Sequence, residues 1–147
     1  MLLNHSAIAN LIPHAGDMVL LNQVIHYEPN SLYATSTSHR RASNPLRHHN
    51  HLPISAGIEY AAQASAIHGA LAADSNSGPK LGFLALVRDV QWCVTRLDDI
   101  VFDLDIRVNL MTAQPGSVMY DFQLSANEST LMSGRLAVFF PEQEPVI

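Results

Sequence analysis

No stretch of about 18 residues in this sequence is both apolar and free of charge and proline. Its opening, MLLNHSAIANLIPHAGD, lacks the positive start and unbroken apolar run of a secretory signal. A soluble, cytoplasmic protein without membrane insertion is therefore expected. Cysteine is confined to Cys93, which excludes an internal disulfide. Lying between Trp92 and Val94 in a strand-like run, with no histidine nearby, it reads as a small core or interface residue rather than a nucleophile. Positive charge is scarce too: eight Lys and Arg against thirteen Asp and Glu leave a net charge of -5, the wrong sign for a nucleic-acid partner.

What is present is apolar. Of 147 residues, 48% are hydrophobic and 14% charged, which fits a single domain, 1–147, with a sizeable core. A short helix is predicted over Ser6 to Leu11, ended by Pro13 and Gly16. MVLLNQVIHY reads as a largely buried strand, a turn follows at Glu28 to Ser31, and SLYATSTS alternates as a second strand. Residues 39–53, HRRASNPLRHHNHLP, show no periodicity and carry two prolines, so they form a loop.

The strongest helix signal is SAGIEYAAQASAIHGALAA, from Ser55 to Ala73, alanine-rich, with Ser55 as N-cap and DSNSGPK as its stop. Four strands then follow: LGFLALVRDVQWCV, IVFDLDIRVNLMT, GSVMYDFQLSA and TLMSGRLAVFF, separated by Asp98-Asp99, Gln114-Pro115-Gly116 and Asn127-Glu128-Ser129. In the second of these, Val101, Leu104, Ile106, Val108 and Leu110 fall on or near one face. An antiparallel sheet has one apolar face to cover, and the one long helix is apolar on nearly every side. The sheet should therefore wrap the helix, an α+β hotdog fold, with dimerisation burying the remainder and placing clefts between subunits.

Against that background Glu59 is out of place, since a buried carboxylate is costly unless paired or protonated. One explanation is structural: in the first helical turn the macrodipole favours a negative charge by about 0.3–1 kcal/mol. The other is chemical. A carboxyl in an apolar cleft has a raised pKa and can act as an acid, while a loop histidine can act as a base. Elimination of water from a β-hydroxyacyl thioester needs that acid, that base and a donor to the thioester oxygen. The N–H groups near Ala56 and Gly57, at the helix start, are candidates for the donor.

The remaining histidines and arginines carry less. HHNH (48–51) has no matching Cys or HExxH ligands, so no metal is expected. His68 reads as a core or interface residue, and His5, His26 and His39 as surface ones. Arg40, Arg41 and Arg47 form either a solvated loop or a basic patch that steers an anionic ligand or carrier.

Three segments together resemble the hotdog-fold β-hydroxyacyl-[acyl-carrier-protein] dehydratases. LIPHAGDMVLLNQVIHYEPN is similar to that family's Leu-Pro-His opening, with Asn22-Gln23 where Asp-Arg is usual. NPLRHHNHLP with AGIEYAAQASA is similar to its His-Phe-Pro loop and Glu-bearing helix. LGFLALVRDVQWCVTRLDD is similar to the following strand. The bridge from His51-Leu52-Pro53 to Glu59 is shorter than usual, which looks closer to a divergent branch linked to aryl polyene and xanthomonadin-type pigments.

The resemblance implies His51 as base, Glu59 as acid and Gln63 as a supporting residue. It also implies a homodimer, or a heterodimer with another hotdog subunit, in which the His of one subunit faces the Glu of the other. The substrate would be a 3-hydroxyacyl thioester carried on the phosphopantetheine arm of an acyl carrier protein, or on CoA, with Arg40, Arg41 and Arg47 receiving the carrier and no cofactor needed. Two alternatives share these features: a hotdog acyl thioesterase, and a catalytically incomplete partner subunit.

Overall fold

The computed structural model describes residues 1–73 and 82–141. Six antiparallel strands form one sheet in the order β1-β2-β4-β5-β6-β3, with β1 Gln23–Glu28, β2 Ser31–Ser36, β3 Phe83–Trp92, β4 Leu104–Gln114, β5 Ser117–Ala126 and β6 Ser129–Phe139. A short helix, α1 (His5–Ala9), precedes the sheet, and the long helix α2 (Gly57–Ala72) lies between β2 and β3 in sequence.

Alternation decides which face of the sheet the helix meets. On β4, Leu104, Ile106 and Val108 are buried, and they pair across the sheet with Leu124, Phe122, Ala34 and Leu32 on the same inner face. Against this face α2 sets Tyr60, Ala61, Ala64 and Ile67, all without solvent contact, and it packs on β2, β4, β5 and β6. A sheet curled around one apolar helix is the hotdog fold. At the helix start, a Cβ on Gly57 would lie 2.9 Å from Leu124 Cδ2 and 3.0 Å from Met132 Sδ. Glycine is what lets the first turn sit so close to the sheet.

Several boundaries differ from the sequence reading. The first strand begins at Gln23, not Met18. Gly16–Met18 is a 3-10 turn, and at the centre of the buried run Val19–Leu21 the Leu20 backbone is held by side chains: Gln63 Oε1 accepts the Leu20 N–H (2.9 Å), while Ser36 (2.6 Å) and Ser38 (2.7 Å) donate to the Leu20 carbonyl. Val101 is exposed, because β4 starts only at Leu104. Ser55 caps nothing: the chain enters α2 through a 3-10 turn, Ile54–Ala56, with Ala56 as N-cap and no side-chain cap bond. Cys93 is exposed, not in the core of this chain. The stop signal at 74–80 lies outside the described residues.

The two sheet edges differ. β1 is partly covered by the N-terminal residues, with Leu2 and Leu3 N–H groups on the Val24 carbonyl and the Val24 N–H on Leu3. At the other edge, β3 runs ten residues without proline and exposes Phe83, Leu84, Leu86 and Trp92. No helix of the described residues is long and apolar enough to cross a membrane.

Candidate active site

The sheet leaves one stripe of α2 only half covered: Ile58, Glu59, Ala62, Ala66, Gly69 and Ala70, spaced as one helical face. Glu59 therefore sits at a boundary, neither in solvent nor in the core. It lines a cleft of about 220 Å³ with Pro13, His14, Ala62, Gln63, Ala66, Gly82, Phe83, Leu84 and Val138. The walls are apolar apart from three side chains, His14, Glu59 and Gln63.

Gln63 is held by the backbone opposite it. Its Nε2 donates to the Met18 carbonyl (2.6 Å) and its Oε1 accepts from Leu20 N–H (2.9 Å). Both ends of the amide are thus engaged in pinning the 15–20 segment against α2. His14 lies just before that segment, with Ile12 buried ahead of it and Gly16 (φ +60°) turning the chain after it. The Nδ1 of His14 is sealed from solvent and has no hydrogen-bond partner among the described residues.

His51 does not line this cleft. It is exposed, on a tight turn closed by paired backbone bonds between His48 and His51, with His49 and Asn50 at positive φ. The residues after it are stitched to 95–98: the Leu52 N–H donates to Asp98 Oδ1 (2.8 Å), the Leu97 N–H to the Leu52 carbonyl, and the Ile54 N–H to Thr95. Asp98 is in turn gripped by Arg96, whose guanidinium holds the carboxyl well below its ordinary range. Within this chain, His51 and Glu59 do not line the same cleft.

The two N–H groups singled out at the helix start are engaged within the chain. The Ala56 N–H is engaged by the Pro53 carbonyl (2.9 Å), and the Gly57 N–H by Ile54 and Ser55. The 3-10 entry engages these two of the N–H groups that a helix start otherwise leaves free, so the expectation for Ala56 and Gly57 is corrected.

The three arginines are not equivalent. Arg47 is built into the loop, donating to the His39 (3.2 Å) and Asn50 (3.3 Å) carbonyls. Arg40 pairs with Asp103 (2.8 Å) and Arg41 with Asp17 (3.4 Å), both at the surface. Under the same loop, Tyr60 hydroxyl meets Ser38 (2.7 Å) and Asn44 (3.1 Å), which ties the loop to α2. His39 is fully buried rather than at the surface. Its Nε2 donates to Ile100, and burial pushes its imidazole below the ordinary value.

A larger chamber, about 410 Å³, lies at the far end of α2. Leu11, Gly69, Leu110, Val118 and Phe140 line it, and Ala66 borders both cavities. At its wall His68 Nε2 donates to the Glu28 carbonyl (3.0 Å), so Nδ1 accepts from the Tyr120 hydroxyl (2.8 Å). Burial pushes Tyr120 up to about 12. His68 is a hydrogen-bonded core residue, as its position on the helix suggested. Among the described residues no cluster of three or more metal-binding side chains occurs.

Residues 6–146 match a family model described as ApeP-like, the ApeP dehydratases. Among solved structures, the chain is similar to one from the dehydratase heterocomplex ApeI:P of Xenorhabdus doucetiae, with TM-score 0.82 and 27% identity over 92% of this chain and 91% of that one. More distant likenesses are AziG of S. sahachiroi (TM-score 0.64, 8% identity, 90% and 99% covered) and a hypothetical thioesterase of Streptococcus pneumoniae solved with coenzyme A (0.59, 10%, 84% and 88%). At such identities these last two share the fold alone. No curated protein matches the sequence.

Proposed function

This chain belongs to the ApeP-like dehydratase family, and from that premise we propose that it removes water from a 3-hydroxyacyl thioester to give the 2-enoyl thioester during synthesis of an aryl polyene or similar chain. The observation that carries the reading is Glu59, a lone carboxyl on the half-covered stripe of α2 in an apolar cleft. There it protonates the departing β-hydroxyl, while an imidazole takes the α-proton.

His51 takes the base role across a subunit interface, since its turn is exposed and outside its own cleft. Two observations support an assembled form. The edge strand β3 exposes four large apolar side chains and borders the cleft through Phe83 and Leu84. The similar chain in Xenorhabdus doucetiae belongs to a dehydratase heterocomplex. The occupant of the β3 edge is a second hotdog subunit, either a copy of this chain or a related one.

The acyl chain runs from the cleft past Ala66 into the chamber at the end of α2. From Glu59 to Ala66 is seven residues, or about 10 Å along the helix axis. The thioester arrives on an acyl carrier protein. Arg41 is best placed to meet the arm's phosphate, because its partner Asp17 lies three residues from His14 and an exposed pair of this kind is weak.

Turnover of 3-hydroxyacyl-carrier protein by Glu59→Gln and His51→Ala tests the reading. Each should abolish enoyl formation with the assembly intact. Unchanged turnover in both would remove it, and free thiol released from acyl-CoA without enoyl product would indicate hydrolysis instead.

A further inference from the structure

The acyl path crosses from the cleft of about 220 Å³ into the chamber of about 410 Å³. Three walls carry over from one space to the next. On α2, Gln63 lines the cleft, Ala66 lines both spaces, and Gly69 lines the chamber. On the N-terminal segment Pro13 lines the cleft and Leu11 the chamber, and toward the end of β6 and just past it the same order holds for Val138 and Phe140. The two cavities therefore succeed one another along α2, and Phe140 stands at the junction.

Gly82, a wall of the cleft, has the Phe140 ring where its side chain would be. A Cβ there would lie 2.8 Å from Phe140 Cε1 and 2.6 Å from Val138 Cγ1. The ring thus rests on a cleft residue while lining the chamber. Its backbone is fixed: the Phe140 N–H donates to the Gly116 carbonyl (2.8 Å), tying it to the turn between β4 and β5, and Pro141 confines it to extended conformations. Its side chain is not. It is half-buried and borders empty volume, unlike the enclosed Tyr60, so it lacks contacts on one side and can turn about Cα–Cβ into that volume.

Resting on the dehydratase reading above, we propose that Phe140 is the specificity-determining residue for acyl length, its ring forming the partition between cleft and chamber. Short chains end in front of the ring, and longer ones turn it aside to enter the chamber. Ala66, which marks the junction on α2, lies about 10 Å along the helix axis from Glu59. The ring therefore meets the tail of the substrate and not its reacting carbons. Turning it costs binding free energy, which each further carbon buried beyond it offsets.

The test measures kcat/KM on the assembled enzyme for 3-hydroxyacyl thioesters of increasing length on one carrier, and Kd for unreactive amide analogues of the same lengths. Phe140→Ala should raise the long-to-short ratio of kcat/KM about 10-fold. A methyl on Gly82 requires the ring and Val138 to give way, so Gly82→Ala should lower that ratio. In the Phe140→Ala background it should leave the ratio as it is. Loss of packing alone would lower turnover at every length together and leave the ratio constant.

An unchanged or lower ratio in Phe140→Ala would overturn the proposal, as would a Gly82→Ala effect of equal size in both backgrounds. If Gly82→Ala does not fold, the Phe140 variants decide alone. If Phe140→Ala does not fold, Phe140→Leu decides: a smaller rise supports the partition and no rise overturns it. Full activity in Glu59→Gln would sink the dehydratase reading itself, and the Kd ratios would then judge the partition. Loss in Glu59→Gln with an unchanged ratio in Phe140→Ala would sink only this inference.

Discussion

The backbone N–H of Leu52 ends on the carboxylate of Asp98, 2.8 Å away, and that carboxylate is shared with the Arg96 guanidinium. One buried side chain thus holds the residue next to His51 and, through the Leu97–Leu52 bond, the loop that leads into α2. The contact joins two segments 46 residues apart.

Its stability contribution depends on pH. Asp98 has a folded-state pKa well below its ordinary value, with the Arg96 bond as the largest cause. The contribution is therefore complete above the unfolded pKa of about 3.9 and declines as pH falls below it toward the lower folded value. Asp98→Asn should lower Tm at pH 7, and the gap to wild type should close steadily below about pH 4. A gap of constant size down to the acid limit would show that the ionised carboxylate is not its source.

Removing the Gln63 clamp should cost more than an ordinary core hydrogen bond. Gln63→Ala leaves the buried Leu20 N–H unpaired, at about 1–3 kcal/mol, and also removes the donor to the part-buried Met18 carbonyl. Gln63→Glu should be worse near neutral pH, since a carboxylate cannot donate to Met18. Urea unfolding of the two variants gives the order, and equal stability of both with wild type would refute the clamp.

Gly69 separates helix stability from chamber volume. A Cβ there meets nothing within 4 Å, so Gly69→Ala should stabilise α2 by about 0.5–1 kcal/mol. The added methyl projects from a residue lining the 410 Å³ chamber. Turnover of long-chain thioesters should fall relative to short ones while Tm rises, and an unchanged chain-length profile would mean the chamber takes no acyl chain.

Arg41 should matter for the carrier and not for the fold. Its exposed pair with Asp17 contributes at most about 1 kcal/mol, so Arg41→Ala should unfold like wild type. It should raise KM for a carrier-bound substrate, most at low salt. Equal KM on carrier substrates would place the docking surface elsewhere.

Periodicity made most of the fold legible. The alternation in Leu104–Val108 and the alanine-rich helix translate directly into the buried faces of β4 and α2. It failed where side chains replace ladder bonds. Val19–Leu21 is as apolar as a strand, yet the backbone partners of its central Leu20 are Gln63, Ser36 and Ser38, whose roles only the tertiary structure creates. The Ser55 cap failed for a related reason, as a 3-10 entry removes the N–H groups a cap would serve.

Glu59 was legible because a carboxyl in an alanine-rich helix is anomalous on any register. His14 was not, since 45 positions separate it from Glu59 and one loop histidine resembles another. The available signal was the segment LIPHAG itself, a proline before the histidine and a glycine soon after, a combination that fixes where a side chain points.

The open edge of β3 has a consequence for how the protein must be made. A ten-residue strand with Phe83, Leu84, Leu86 and Trp92 exposed is a template onto which another strand can add. A chain produced with that edge uncovered will add copies of itself there. Its yield in soluble form should therefore depend on how much chain is made at once as well as on how stable each chain is.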